Sequence, residues 1–336
     1  MAFSLSPREN YLLCLQHKPH EYTPGPMDAG MAGALLSIDR PSSGEGLDGF
    51  GVRWVSPLSG GAGSALPAPN EFLLTDVTRW KSVVRLPDVS SYDWAALSAQ
   101  EEALGMIDRS KAVQVFHSTC IYERMAALMG FEGALLALAL EPEASFELLS
   151  ALTDVRIEMI RHFKKYYNPD IYIYFDDVAT ERMMFMSPDT YRTLIKPLHT
   201  KIVAAAREEG MIPLQHTCGK ADLIVEDMMD EGCDGWHAVQ AQNNLEQIIE
   251  QYGDRFVLVG GYNTTGAPGQ PTASEAMVRA EVRRCLQTYG KYGQGYIFFG
   301  MVLTERNPDN PFDSGTMNAV MNDEFLKIRA EKEAVA

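Results

Sequence analysis

The stretch Met211-Ile-Pro-Leu-Gln-His-Thr-Cys-Gly219 decides how the rest of the chain is interpreted. Its apolar run ends on His216, Thr217 and Cys218, and a helical pattern begins a few residues later, which is typical of a buried strand followed by a helix. Because residues two apart in a strand project to the same face, an imidazole nitrogen and a thiolate can converge here. Zn²⁺ accepts that pair, but the same residues also suit a hydrogen-bonded core histidine and a small buried hydrophobe.

The alternation of strand and helix recurs beyond residue 110. Helical periodicity separates a series of apolar runs suited to strands, at residues 112–116, 170–175, 211–216, 234–239, 256–260 and 296–299. Such alternation calls for a parallel sheet. We therefore predict an α/β fold, specifically a (β/α)8 barrel. A doubly wound sheet is the second choice, because no GxGxxG turn follows an early strand.

We expect one domain spanning residues 1–336, because α/β barrels of this length are commonly a single unit. The first strand candidate is Tyr22 to Met27, and a Gly-, Ser- and Pro-rich excursion with hairpin character occupies residues 41–70. The predicted domain comprises an N-terminal segment, regular strand-helix units and a helical tail, at residues 1–110, 111–312 and 313–336.

Composition narrows the possible partners and location. A net charge of −16 disfavours nucleic acid and anionic membranes, because nothing supplies a basic field for phosphates. The five cysteines are scattered without a CxxC pair, which favours a reduced protein over a disulfide framework. The N-terminus lacks a signal pattern, and the longest apolar runs, such as Ala134 to Leu140, are too short to span a bilayer. We predict a cytoplasmic protein without nucleic-acid or membrane partners.

In a barrel, active sites gather at the carboxyl ends of the strands. The predicted strand ends carry a ring of mostly polar residues: His117, Asp176, Asp177, His216, Cys218, Gln240, Tyr262, Asn263 and Met301. Asp176 and Asp177 face opposite sides of a strand, so one of them can bind substrate or transfer protons, unless the pair caps the next turn. His237 lies inside a strand and is predicted to be a hydrogen-bonded structural residue.

Several motifs, in this order, resemble the uroporphyrinogen decarboxylase superfamily: Tyr172-Ile-Tyr-Phe-Asp-Asp177, Met186-Ser-Pro-Asp-Thr-Tyr191, His216-Thr-Cys-Gly219 and Tyr252-Gly-Asp-Arg-Phe-Val-Leu-Val-Gly-Gly261. The resemblance implies a (β/α)8 barrel. The decarboxylases of the superfamily carry Met-Arg-Gln-Ala-Gly-Arg where this chain has Met27-Asp-Ala-Gly-Met-Ala-Gly33, and Gly-His where it has Gly300-Met301. Lost arginines and an added Asp28 disfavour a porphyrinogen with eight carboxylates.

The corrinoid-dependent methyltransferases of the superfamily carry His-x-Cys and a later cysteine as zinc ligands. His216 and Cys218 match the first two positions, and the third falls near Met301, where no cysteine stands. The third ligand stays open between Cys120, Asp176, Glu305 and the substrate. The resemblance implies zinc that activates a thiol, and a methylcorrinoid carried by a partner protein, because no corrinoid-binding domain is evident here.

We therefore expect a methyltransferase that moves a methyl group between a small methylated compound or thiol and a corrinoid protein. Asp176 and His216 are the predicted catalytic residues, and His216 and Cys218 the predicted metal ligands. The predicted substrate-binding residues are His117, Tyr122, Asp177, Gln240, Tyr262, Asn263 and Met301. Two alternatives stay open. One is a lyase acting on another carboxylic acid, which needs a cationic clamp from Arg182 or Arg306, and the other is a metal-free binding relative.

Overall fold

The computed structural model describes residues 3–41, 44–55, 65–303 and 315–335. Its strands are β1 (Ala29–Ala32), β2 (Gly46–Leu47), β3 (Arg53–Val55), β4 (Leu66–Pro67), β5 (Ala112–His117), β6 (Ile171–Phe175), β7 (Ile212–His216), β8 (Gly235–Val239), β9 (Val257–Gly261) and β10 (Tyr296–Phe299). Seven of them form one parallel sheet in the order β1-β5-β6-β7-β8-β9-β10, and β2, β3 and β4 form a small antiparallel sheet.

The helices are α1 (Pro7–Leu15), α2 (Trp80–Val83), α3 (Trp94–Ala103), α4 (Ile121–Met129), α5 (Phe131–Leu140), α6 (Pro142–Tyr167), α7 (Pro188–Thr190), α8 (Lys196–Glu208), α9 (Val225–Glu231), α10 (Leu245–Tyr252), α11 (Glu275–Thr288) and α12 (Thr316–Val335). The helices from α2 to α11 lie between successive strands of the parallel sheet, as the periodicity predicts, whereas α1 precedes β1 and α12 follows β10. Within the described ranges, no helix combines the length and the apolar character needed to cross a membrane.

The parallel sheet is curled. The rings of Phe116 in β5 and His237 in β8 lie 5.8 Å apart although β6 and β7 separate their strands, which a flat sheet does not allow. The two edges also approach each other, because the amide of Phe298 in β10 donates to the carbonyl of Pro24, shortly before β1. The α/β class and the parallel sheet are confirmed. Seven strands form the parallel sheet in the described residues, so closure of a barrel by an eighth strand stays a prediction.

The first strand lies later than expected. Residues 22–27 were the predicted strand, but the structure has a 3₁₀ turn at Pro26–Asp28 followed by β1. Pro24 and Pro26 have no amide proton to donate to a neighbouring strand, so ladder pairing begins only beyond them. The predicted strand is therefore wrong in its bounds, because β1 begins two residues after the predicted strand ends.

The sequence has helical character from Tyr122 to Leu140, but the structure divides this stretch into α4 and α5 at Gly130, whose φ is +78°. L-residues rarely adopt that backbone conformation, and a Cβ at this position would lie 2.7 Å from the ring of Phe72. The glycine therefore permits both the bend and the close approach of Phe72. The apolar composition on both sides of Gly130 concealed this boundary in the sequence.

A buried ion network joins the small sheet to the parallel sheet. We use this name for Asp39, Asp48, His117, Arg124 and Arg156, which are all buried. Asp48 accepts hydrogen bonds from Arg124 at 2.5 Å and from the Trp54 indole of β3 at 2.8 Å. Asp39 contacts Arg156 at 2.5 Å and His117 at 2.8 Å. Burial alone would raise the pKa of Asp39, but Arg156, His117 and Arg124 hold it below its usual range.

Candidate metal centre

His216 and Cys218 lie close together at the carboxyl end of β7. The Cys218 Sγ is 3.5 Å from Nε2 of His216. Their spacing of two residues places both side chains on one face, as expected for the end of a strand. His216 is 6% exposed, and its ring stacks on that of Phe175 in β6 with centroids 4.0 Å apart. The imidazole nitrogen and the thiol therefore lie close to one point at the carboxyl end of β7.

Asp177 is the third residue at this point. Its Oδ1 is 3.9 Å from His216 Nε2 and accepts a hydrogen bond from the Cys218 amide at 2.6 Å. One ligand-type atom from each of Asp177, His216 and Cys218 lies within 4.8 Å of the others. Because Phe175 faces the interior of the sheet, the residue two positions later faces it too. That alternation directs Asp177, and not Asp176, towards His216.

The three side chains suit a zinc ion. Imidazole nitrogen, thiolate and carboxylate are all common zinc ligands, and three protein ligands leave a fourth position for substrate. Burial raises the pKa of the Cys218 thiol above its usual value, with a further contribution from Asp177, and burial also raises the pKa of Asp177 to about 6. A divalent cation at this point would favour both anionic forms. The donor atoms and their electrostatics therefore fit the group that the sequence pattern implies.

His237 contacts the same imidazole from the other side. It is paired with His216 in the register of β7 and β8, and the two Nδ1 atoms are 2.8 Å apart. His237 is 5% exposed, and burial lowers its pKa to about 3, so the ring stays neutral. The sequence predicted a hydrogen-bonded structural histidine, and the bonding partner is His216 itself.

Asp176 has a different environment from its neighbour. It is fully buried, and its carboxylate accepts hydrogen bonds from the amides of Tyr122 and Glu123 at 3.1 and 2.8 Å, in the first turn of α4. Its Oδ2 also lies 2.8 Å from Nε2 of His199 in α8. Asp176, His199 and Cys120 form a second compact group of ligand-type atoms, but these bonds already engage both oxygens of Asp176. The structure does not bring Asp176 to His216.

The other predicted site residues are divided between the centre and structural positions. Gln240 is next to the centre, because its Oε1 accepts from the Gly219 amide at 3.0 Å. His117 belongs to the buried ion network. Tyr262 donates to the Pro268 carbonyl at 2.8 Å, and Asn263 accepts from the Gly266 amide at 2.9 Å, so both stabilise the loop after β9.

Two further predicted residues have no role that the structure defines. The Tyr122 hydroxyl is buried without a partner in the described residues, and Met301 is 47% exposed. Glu305 and Arg306 lie outside the described residues.

A cavity of about 290 Å³ adjoins the centre. Its lining is mainly apolar, with Met31, Leu36, Phe116, Met159 and Phe163, and it also includes Arg40 and the buried Asp39 and His117. Phe116 links cavity and centre, because its ring is 5.0 Å from that of His216. The three candidate ligands do not themselves line this space, which suits a small, largely apolar molecule in contact with Phe116.

Arg40 is a cavity residue that the sequence analysis missed. Its guanidinium lies over the rings of Trp54 and Phe175, at 4.8 and 5.9 Å, and its Nε donates to Thr119 at 2.9 Å. Its other side-chain nitrogens have no hydrogen-bond partner within the described part of the chain. Arg40 lies beside a Pro-, Ser- and Gly-rich segment without periodicity, so no sequence signal placed it in the cavity. Arg182, one of the two predicted clamps, is exposed.

The curled parallel sheet, with its polar centre at the carboxyl ends of the strands, places the protein among barrel-like α/β proteins. The sequence model of the uroporphyrinogen decarboxylase (URO-D) family matches residues 79–300. The chain belongs to this family, which confirms the resemblance of its motifs. No curated protein matches the sequence significantly.

Two solved structures were compared with this fold, and one of them shares it. A methyltransferase from Methanosarcina mazei has a TM-score of 0.63 at 14% identity, over 98% of this chain and 99% of that chain. The GH18 chitinase ChiB from the chitin utilization locus of Flavobacterium johnsoniae has a TM-score of 0.36 at 10% identity, over 76% of this chain and 85% of that chain, which is too low to support an argument. At these identities the comparison with the methyltransferase shows the shared fold alone.

Proposed function

We propose that the protein is a methyltransferase that moves a methyl group between a small methylated compound or thiol and a corrinoid carried by a separate protein. The observation that carries this proposal is the convergence of Asp177, His216 and Cys218, close to a mainly apolar cavity whose lining residue Phe116 contacts His216. The M. mazei methyltransferase, which shares the fold over nearly the whole chain, supports the same reaction class.

The chain's own residues prepare the site for this reaction. Zn²⁺ bound to Asp177, His216 and Cys218 would supply an electrophile that keeps a thiol as its thiolate at neutral pH. Phe116 and Phe175 contact the His216 ring and exclude water from that side. The apolar part of the cavity wall, with Met31, Leu36 and Phe116, accommodates a methyl group. Binding and orientation of the small substrate are therefore the work of the cavity.

The test combines metal analysis with a transfer assay. We expect about one zinc per purified chain. We also expect methylcobalamin and a simple thiol to give the methyl thioether, cob(I)alamin and a proton, a reaction monitored by the loss of the methylcobalamin absorption band. Cys218→Ser should abolish both zinc binding and transfer. Cys285→Ser, at a buried cysteine of α11 away from the centre, should retain both. Wild-type protein that stays zinc-free after zinc is supplied, or transfers no methyl group to any thiol tested, contradicts the proposal.

A second candidate is a lyase that decarboxylates a small carboxylic acid, and Arg40 is the observation that favours it. A lyase of this kind needs a cation for the substrate carboxylate, and Arg40 supplies donors at the cavity that have no partner among the described residues. Release of CO₂ from a panel of small acids, lost in Arg40→Gln and retained in Cys218→Ser, would favour the lyase. The opposite dependence, on Cys218 and not on Arg40, would favour methyl transfer.

A further inference from the structure

We propose that His237 is a positioning residue that fixes the protonation of His216, so that Nε2 of His216 is free to bind a metal ion. This inference rests on the proposed zinc centre. In its terms, His216 carries its single ring proton on Nδ1 and donates it to Nδ1 of His237, which carries its own proton on Nε2.

The direction of this hydrogen bond follows from metal binding at Nε2 of His216, because the distance between the two Nδ1 atoms alone allows either one to donate. The two Nδ1 atoms are 2.8 Å apart, so one proton lies between them. Nε2 of His216 faces the other way, towards Cys218 Sγ at 3.5 Å and Asp177 Oδ1 at 3.9 Å. A neutral imidazole can offer Nε2 to a metal only if Nδ1 holds the proton. His237 must then accept, because both nitrogens cannot donate to each other.

The surroundings of His237 leave it available for this task. Its ring packs between those of Phe299 and Phe116, with centroids 4.8 and 5.8 Å away. Within the described ranges, His216 is the one side chain that forms a hydrogen bond with the ring of His237. Phenylalanine would fill the same space, so packing alone does not account for a buried polar ring here.

A neutral acceptor also suits the charge of the centre. In metal-binding histidines, the N–H group of the second ring nitrogen usually donates a hydrogen bond to a carboxylate, a carbonyl or water. Here Asp177 and a Cys218 thiolate would already balance the two positive charges of Zn²⁺. A carboxylate in place of His237 would add an uncompensated buried charge, which is costly. An uncharged imidazole orients His216 without that cost.

Three substitutions separate this role from packing. His237→Phe keeps an aromatic ring and removes the acceptor. His237→Asn places its Oδ1 close to the position of the lost Nδ1, whereas His237→Gln extends beyond it. We expect His237→Phe to weaken zinc binding by roughly 10–100-fold in chelator competition. His237→Asn should recover most of that affinity, and His237→Gln should recover less. Circular dichroism and thermal unfolding establish that each variant is folded.

Nitrogen NMR of protein with ¹⁵N-labelled histidine supplies an independent readout. The expected result, with or without zinc, is a proton on Nδ1 of His216 and on Nε2 of His237. A proton on Nε2 of His216 overturns the inference, as does a folded His237→Phe variant with wild-type zinc affinity. Wild-type protein that binds no zinc contradicts the proposed function instead, and the NMR of the metal-free protein then still decides the inference.

Discussion

Asp177 and Cys218 are joined across neighbouring strands, because Oδ1 of Asp177 accepts a hydrogen bond from the backbone amide of Cys218 at 2.6 Å. The backbone just after β7 thus holds in place the carboxylate that follows β6. This bond keeps the carboxylate beside the thiol even before any cation is present. A centre positioned in this way needs little rearrangement to bind a metal ion.

Asp177→Asn should weaken zinc binding without unfolding the protein. The substitution removes one candidate ligand charge but keeps the size of the side chain. We expect a loss greater than the ~10–100-fold typical of a lost outer-shell partner, measured by chelator competition. Asp189→Asn, at a side chain that is 94% exposed, is the control and should bind zinc as the wild type does. Unchanged affinity in Asp177→Asn would remove Asp177 from the ligand set.

Asp176→Ala should lower stability rather than metal affinity per folded chain. It leaves two amides of α4 and the ring of His199 without their acceptor inside the protein. A buried group left unpaired costs about 1–3 kcal/mol, so we expect a loss on the order of 3 kcal/mol in the free energy of unfolding by urea. Asp189→Ala should change it little. A stable Asp176→Ala protein that lacks zinc would restore Asp176 as a metal ligand.

Arg156→Met should be strongly destabilising, because it leaves Asp39 buried with less compensation. Arg156 contacts Asp39 at 2.5 Å and has no exposed side-chain surface. Breaking a buried ion pair from one side typically costs about 3–5 kcal/mol. The double variant Arg156→Met/Asp39→Asn removes both charges and should lose less stability than Arg156→Met alone, in urea unfolding at neutral pH. Equal losses in the two proteins would show that charge is not the cause.

Glu231 should make stability depend on pH. It is 3% exposed, accepts from the hydroxyls of Tyr191 and Tyr174, and burial raises its pKa from 4.5 to about 7. The native state therefore holds this proton more tightly than the unfolded state does. The associated stability is fully present below pH 4.5 and lost as pH rises through about 7, by on the order of 3 kcal/mol.

Glu231→Gln isolates that effect, because it keeps an acceptor and cannot titrate. The difference in unfolding free energy between the variant and the wild type should shift in favour of the variant as pH rises from 4.5 to 7.5. Glu208→Gln, at an exposed residue of α8, should show no such trend. A constant difference for Glu231→Gln across this range would contradict the raised pKa.

The sequence predicted the alternating architecture well because periodicity is local information. Six of the seven strands of the parallel sheet lie within a residue or two of their predicted positions, and His216 and Cys218 converge as their spacing implies. The choice between Asp176 and Asp177 was harder. The preceding strand, Ile171–Phe175, consists of apolar and tyrosine side chains, so no pattern showed which face was interior. The contact between the rings of Phe175 and His216 shows that Phe175 faces the interior, and the alternation of side chains then places Asp177 on the same face.

The remaining residues depend on contacts between distant parts of the chain. His117 and Asp39 meet although 77 intervening residues separate them, and no local motif announces a pairing of that kind. His237 acquires its partner only through the register of β7 and β8. That register was accessible in principle, because neighbouring parallel strands bring their carboxyl ends to one edge, but it required knowing where each strand ends.

The buried ion network extends beyond the region that the family model matches. The family match begins at residue 79, whereas both carboxylates that neutralise Arg124 and Arg156 come earlier, from Asp39 and Asp48. A fragment cut to the matched region would retain two guanidinium groups in its interior and lose their counterions. Truncated forms of this protein should therefore retain Asp39 and Asp48 and should not be cut at the boundary of the family match.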